Sequence, residues 1–176
     1  ANRESAREAL VAKCGENVNI RRIERIEGDV LGGYLHGNRI GAVVSVSGGD
    51  VELAKDIAMH VAASNPQFLD PSQVSEEAIA KEKEIFMALN EEKIKGKPEN
   101  IVENMVGGRI KKFLAEASLV GQAFVKNPEV TVGKLADQAG ATIVSFVRFE
   151  VGEGIDRGEE VDFAAEVAAQ VAASKK

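Results

Sequence analysis

The stretch VLGGYLHGNRIGAVVSVS (residues 30–47) contains the clearest structural signal in the chain. Two apolar runs, VLGGYLH and RIGAVVSVS, flank the pair Gly37 and Asn38. A Gly-Asn pair supplies the positive φ angles that a tight two-residue hairpin turn requires. Alternation in the second run places four apolar residues on one face of a strand: Ile40, Ala42, Val44 and Val46. We therefore predict a β-hairpin whose tip presents His36 and Arg39.

A helix is predicted directly after the hairpin, over residues 50–64. Asp50 is a suitable N-cap, and Asn65 with Pro66 closes the segment. Apolar residues recur at helical spacing at Leu53, Ala54, Ile57, Ala58 and Val61. His60 lies at the edge of this stripe and has no second ligand at helical spacing. We interpret it as a packed structural residue rather than a metal ligand.

Two charged helical segments follow, at residues 75–93 and 98–118, joined by KIKGKP. Pro98 is tolerated in the first turn of the second segment. A short Gly-Pro connection between two helices predicts an antiparallel helical hairpin. Charge on every outer face favours a projecting coiled coil, and flat packing against the body is the alternative that composition leaves open.

The flanking segments complete the prediction. Residues 1–13 have the spacing of a helix, and NVNIRRIERIEG (residues 17–28) is interpreted as a strand with a bulge near Arg21 and Arg22. The remaining predicted elements are a short extended piece at 121–128, a short helix at 131–140, a strong strand at 141–151 and an amphipathic helix at 161–176.

Helices and strands come in mixed order with a hairpin and no repeated βαβ unit, which predicts an α+β fold. We expect a small antiparallel sheet flanked by helices, with the helical hairpin inserted into it. In terms of domains, residues 1–74 and 119–176 would form one core subdomain with a C-terminal helix. Residues 75–118 would form the inserted hairpin.

Composition narrows the class of function. The 176 residues carry a net charge of −6, which disfavours direct binding to nucleic acid. No apolar run approaches the roughly 20 residues of a membrane helix. The single cysteine, Cys14, favours a reducing, cytoplasmic setting. The chain begins inside a helical pattern, which suggests a cut through a longer protein.

No motif for chemistry is present. VGEGIDRG (residues 151–158) has the spacing G-x-G-x-x-x-G, whereas a dinucleotide loop requires G-x-G-x-x-G. His36 and His60 have no cysteine or histidine neighbours for a zinc site, and no G-x-S-x-G elbow presents a nucleophile. We therefore predict a binding protein without metal or cofactor, and not an enzyme.

Five segments together carry a resemblance to a known family. They are ALVAKCGENVNIRR, EGDVLGGYLHGNRIGAVV, DIAMHVAASNPQF, GRIKKFLAEASLVGQAFVKNP and SFVRFEVGEGI with VDFAAEVAA. In this order they resemble bacterial elongation factor Ts, from about residue 8 to the end of the chain. The resemblance covers the C-terminal half of the family's core, its coiled-coil arm and its C-terminal module.

The resemblance implies a guanine-nucleotide exchange factor that binds the GTPase elongation factor Tu in its GDP form and promotes GDP release. The family's wedge, an Asp-Phe pair in an E-φ-N-x-Q-T-D-F segment, is not found in the 176 residues. VDFAAE (residues 161–166) echoes it only superficially. The resemblance therefore implies a chain that docks on elongation factor Tu without accelerating GDP release.

The resemblance also implies the binding residues. His36 occupies the place of the family's His in the HG turn, which reaches the third domain of elongation factor Tu, and Gly37, Asn38 and Arg39 complete that tip. The turn Phe124, Val125 and Lys126 approaches the same domain. Phe163 and Val167 lie on the helix that faces the GTPase domain, with docking on the chain's own core as the alternative. A self-associating homodimer module is the rival function.

Overall fold

A computed structural model describes residues 3–154 of the chain. The helix predicted for 161–176 lies outside the described residues. Within 3–154, no helix combines the length and apolar character needed to cross a membrane.

The described residues form six α-helices, two 3-10 turns and five strands. The helices are α1 Arg3–Cys14, α2 Val51–Ser64, α3 Glu76–Leu89, α4 Glu91–Ile94, α5 Glu99–Ala117 and α6 Val132–Gln138. The strands are β1 Val30–His36, β2 Ile40–Ser47, β3 Ala123–Phe124, β4 Asn127–Thr131 and β5 Thr142–Glu150, and the 3-10 turns are Pro71–Gln73 and Leu119–Gly121. The predicted α+β fold with a small antiparallel sheet is confirmed.

The main sheet has the order β1-β2-β5, and both pairs are antiparallel. The predicted hairpin is present, with His36 opposite Ile40 at its tip. The turn differs from the prediction in two respects: three residues, 37–39, connect the paired ends of the strands, and only Gly37 has a positive φ, of 57°, while Asn38 does not. Glycine is the residue that adopts such a φ without steric cost.

Helix α2 packs on one face of the sheet, which we call the inner face. Asp50 caps the helix by accepting a hydrogen bond from the backbone N–H of Leu53 at 2.8 Å, as predicted. Asn65 ends it in the left-handed conformation, with φ of 46°. Gly32 of β1 lies against the helix so closely that a Cβ there would stand 2.2 Å from the carbonyl carbon of Ala54.

The core lies between α2, the inner face and the segment that follows α5. Its largest fully buried apolar side chains are Val44, Val46, Ile57, Val61, Leu119 and Val132. The stripe predicted on α2 supplies the helix side of this core. The burial of β2 and α2 together therefore fixes how the hairpin and the helix are oriented.

The strand predicted for residues 17–28 is wrong, because this segment is extended but pairs with no described strand. It crosses the opposite, outer face of the sheet. Two of its carbonyl groups accept hydrogen bonds from side chains: Arg7 donates to the oxygen of Val18 at 3.0 Å, and Ser45 donates to that of Glu27 at 3.4 Å. Arg22 lies over the ring of Phe149, 4.8 Å from its centroid. Charged residues here prefer this exposed position to a sheet interior.

Helices α3 and α5 contact each other along the predicted hairpin. Arg109 donates to Glu82 through Nε at 2.7 Å, which joins the middle of one helix to the middle of the other. Instead of one helix over 75–93, the chain breaks at Asn90, whose Nδ2 donates to the oxygen of Phe86 at 2.9 Å. No residue of α3 or α5 is buried. The projecting coiled coil stays a prediction.

After α5 the chain returns to the core. The predicted extended piece contains β3, and the predicted helix at 131–140 contains α6. Strand β4, which pairs with β3, was not predicted, because its sequence NPEVT begins with turn-forming residues. The strand predicted at 141–151 is confirmed as β5.

Replacing Gly32 by alanine is expected to lower the free energy of unfolding by about 2 kcal/mol or more, because the added methyl group collides with the α2 backbone. The adjacent Gly33 faces the outer side, and its nearest neighbour would be the oxygen of Ala42 at 3.9 Å. Gly33→Ala is therefore the matched control and should change stability by less than about 0.5 kcal/mol. Urea unfolding of both variants checks this, and equal effects would contradict the close approach.

Candidate partner-binding site

The hairpin tip provides the first half of the site. Since side chains alternate along β1, Gly32, Tyr34 and His36 point to the inner face, the side on which α2 lies. His36 is exposed at the end of this row, and its ring stacks on that of Tyr34 with 6.4 Å between centroids. An imidazole held by an aromatic neighbour at a protruding tip is well placed to contact a partner.

The turn between β3 and β4 provides the second half, and we call residues 124–126 the docking turn. Val125 is exposed, whereas Phe124 is only 4% exposed and packs on His60 with 6.0 Å between ring centroids. Lys126 donates to a carboxylate oxygen of Asp56 on α2 at 2.5 Å. Phe124 therefore anchors the turn in the core, while Val125 and Lys126 face outward.

These two halves meet across a groove of about 500 Å³. It lies between the hairpin tip, the docking turn and the C-terminal half of α2. Its lining residues are Tyr34, His36, Ile40, Met59, Ala62, Ala63, Val125, Lys126 and Arg148. We call it the tip groove.

Arg148 joins the sheet to α2 beneath the tip groove. Its side chain is 9% exposed, and its Nε donates to the oxygen of Ala62 at 3.2 Å. Its Nη2 donates to Glu150 at 2.9 Å, and Arg39 donates to the other oxygen of Glu150 at 2.9 Å. The hydrogen bond from Arg148, helped by that from Arg39, holds the pKa of Glu150 below its usual value. Arg39 is thereby drawn across the tip toward β5.

The predicted site residues fall into distinct groups. His36, Val125 and Lys126 are brought together in the tip groove. Gly37, Asn38 and Arg39 line a second depression, beside Phe149 and the 17–28 segment. Phe124 is in the core, and Phe163 and Val167 lie outside the described residues.

Six lining residues of the tip groove were not predicted as site residues: Tyr34, Ile40, Met59, Ala62, Ala63 and Arg148. Arg148 interrupts the apolar strand SFVRFEV with a charge on the inner face, and that signal could have identified it. Met59 precedes His60 at the edge of the α2 stripe, where no sequence pattern separates a core residue from a groove residue.

The tip groove combines apolar and charged groups. Its walls are apolar and its rim carries an imidazole and an ammonium group, a mixture common in recognition surfaces. Among residues 3–154, no group of three His, Cys, Asp or Glu side chains is placed to hold a metal ion.

Comparison with known proteins gives a consistent result. A family model described as elongation factor TS matches residues 1–153. The elongation factor Ts of Azotobacter vinelandii is 78% identical over 176 residues, which is 100% of this chain and 61% of the relative. That of Pseudomonas aeruginosa strain LESB58 is 79% identical over 174 residues, 99% of this chain and 60% of the relative. The chain thus spans about three fifths of the length of the curated relatives it matches.

His60 is expected to make stability depend on pH. Its burial lowers the pKa of His60, partly opposed by the hydrogen bond with Gln122. The unfolded chain then binds a proton more readily, so the free energy of unfolding should fall as the pH drops below the ordinary histidine pKa of about 6.5. His60→Asn, which cannot titrate, should show a shallower fall between about pH 7 and about pH 5. Urea midpoints at each pH measure the stability of the unchanged chain and of His60→Asn. An equal loss of stability in the two proteins would show that His60 is not the source of the pH dependence.

Proposed function

The chain belongs to the elongation factor Ts family, and from that premise we propose that it binds the GTPase elongation factor Tu in the cytoplasm through the tip groove. The whole protein would promote release of GDP by binding the nucleotide-free state of its partner more tightly than the GDP state. Such coupling is reciprocal, so bound GDP also lowers the affinity of the factor for elongation factor Tu. This mechanism makes and breaks no covalent bond, so the whole protein would act as an exchange factor and not as an enzyme.

One observation carries the proposal. His36 and the pair Val125 and Lys126 are far apart in sequence, yet they line the same groove. The family resemblance assigns the contact with the third domain of elongation factor Tu to these same two segments. A groove assembled from two such segments supports a single docking surface.

We propose further that residues 1–176 supply docking without exchange, because the E-φ-N-x-Q-T-D-F segment that carries the family's wedge is not found among them. Docking and nucleotide release are then separable activities of the whole protein. Phe163 and Val167 remain proposed contacts with the GTPase domain.

His36→Ala is expected to weaken binding to elongation factor Tu by about 5- to 30-fold, the effect of removing an interface anchor worth about 1–2 kcal/mol. The melting temperature should change by less than about 2 °C, since His36 is exposed. Sedimentation velocity titrations with GDP-loaded elongation factor Tu give the affinity.

Arg25→Ala is the control for that experiment. Arg25 is 87% exposed and lies on the segment that crosses the outer face, away from the tip groove. It should leave the affinity unchanged. If His36→Ala binds as tightly as the unchanged protein, the tip groove is not the docking surface, and if it unfolds the chain, His36 is a structural residue and not a partner contact.

The unchanged chain is expected to leave the rate of GDP release from elongation factor Tu unaltered at concentrations that saturate binding. Stopped-flow release of a fluorescent GDP measures the rate, and the whole elongation factor Ts of Pseudomonas aeruginosa serves as the positive control. An acceleration close to that of the control would refute docking without exchange.

Self-association is the second candidate function, and the outer face of the sheet favours it. Three apolar side chains there are exposed: Leu31 by 41%, Leu35 by 77% and Val43 by 39%. A second copy could cover the parts of these side chains that the 17–28 segment leaves exposed. Sedimentation of the chain alone, part of the same titration, separates a dimer from a monomer that associates only with elongation factor Tu.

A further inference from the structure

We propose that His60 is a positioning residue for partner binding, which holds the docking turn against the tip groove and ties it to the end of α5. This inference rests on the proposed function and extends it to a buried residue that touches no partner. Three hydrogen bonds in series carry it, from the backbone of the docking turn through two side chains to the last turn of α5.

The first bond joins His60 to the docking turn. The backbone N–H of Val125 donates to Nδ1 of His60 at 3.2 Å. This places the exposed side chains of Val125 and Lys126 at the rim of the groove. Since Nδ1 accepts here, the neutral ring must carry its proton on Nε2.

The second and third bonds fix that tautomer. Nε2 of His60 lies 2.9 Å from Oε1 of Gln122, and Nε2 of Gln122 donates to the backbone oxygen of Glu116 at 2.7 Å. Because the amide nitrogen of Gln122 is committed to Glu116, its oxygen is the atom left to accept from His60. Every polar atom in the series therefore has one consistent role.

The burial of His60 makes these three hydrogen bonds costly to lose. His60 is 1% exposed, so water cannot replace either of its partners. A buried N–H or carbonyl that loses its hydrogen bond costs far more than an exposed one. The ring of Phe124 packs on His60 from the docking turn itself. His60 thus holds the docking turn in two ways, by packing against Phe124 and by accepting a directed hydrogen bond from Val125.

These three hydrogen bonds also link the docking turn to the helical hairpin. Glu116 lies in the last turn of α5, the second helix of the helical hairpin, and Ser118, the residue that follows α5, is buried. A displacement of the end of α5 would reach the docking turn through Gln122 and His60. The position of the hairpin and the shape of the tip groove are therefore coupled.

The test compares two nearly isosteric replacements, His60→Leu and His60→Asn, in the 176-residue chain. Leucine removes the acceptor for Val125, whereas the asparagine Oδ1 can restore it close to the position of Nδ1. We expect His60→Leu to weaken binding to GDP-loaded elongation factor Tu about tenfold, and His60→Asn to recover to within about threefold of the unchanged chain.

Amide hydrogen exchange separates positioning from general stability. In His60→Leu the amide of Val125 should lose protection, while the amides of Ile57 and Val61 in α2 keep theirs. Gln122→Leu is the second variant, for use if His60→Leu does not fold. It leaves His60 in place but frees its tautomer, and it should also expose the Val125 amide and weaken binding, by about threefold.

The outcomes are distinct. If the unchanged chain does not bind elongation factor Tu, the proposed function fails and this inference with it. If the unchanged chain binds, the inference alone is overturned by His60→Leu binding equally well, by His60→Asn binding no better than His60→Leu, or by Gln122→Leu that retains both affinity and Val125 protection.

Discussion

The close contact between β1 and α2 at Gly32 is the constraint on which the rest of the structure depends. Only a residue without a side chain lets the helix backbone approach the strand at this distance. That approach buries the apolar stripe of α2 against Val44 and Val46 and fixes the rotation of the helix. The same rotation turns His60 into the core and leaves Met59 at the edge of the tip groove.

This contact separates the residues of the tip groove region into an exposed group and a buried group. Residues at the surface of the groove, such as His36 and Val125, are free to meet a partner. Residues beneath it, such as His60, Phe124 and Arg148, hold the surface in shape through packing and directed hydrogen bonds. Preorganisation of this kind would lower the entropy lost in the proposed binding, because the docking turn and the hairpin tip are already placed.

Local signals predicted the elements well where they agreed with one another. Helix α2 has a cap, an apolar stripe and a terminating Asn-Pro, and each of these acts within a few residues. The segment 17–28 has β-branched residues but slipping alternation, and the structure leaves it unpaired across the outer face. A segment forms a strand only when a neighbouring sheet edge can pair with its backbone, whatever its composition. The sequence does not show which sheet edges are free.

The amino-acid sequence by itself determined the hairpin, the helices α1, α2, α5 and α6, the strand β5 and the family, because these depend on short-range periodicity, turn chemistry and ordered motifs. It did not determine that Phe124 would be buried while Val125 beside it faces outward, nor that His60 would join the docking turn to α5. Those outcomes depend on contacts between residues about 60 positions apart or more. Only the tertiary packing of α2 between the sheet and the returning chain brings such residues together, and it does so to bury apolar surface.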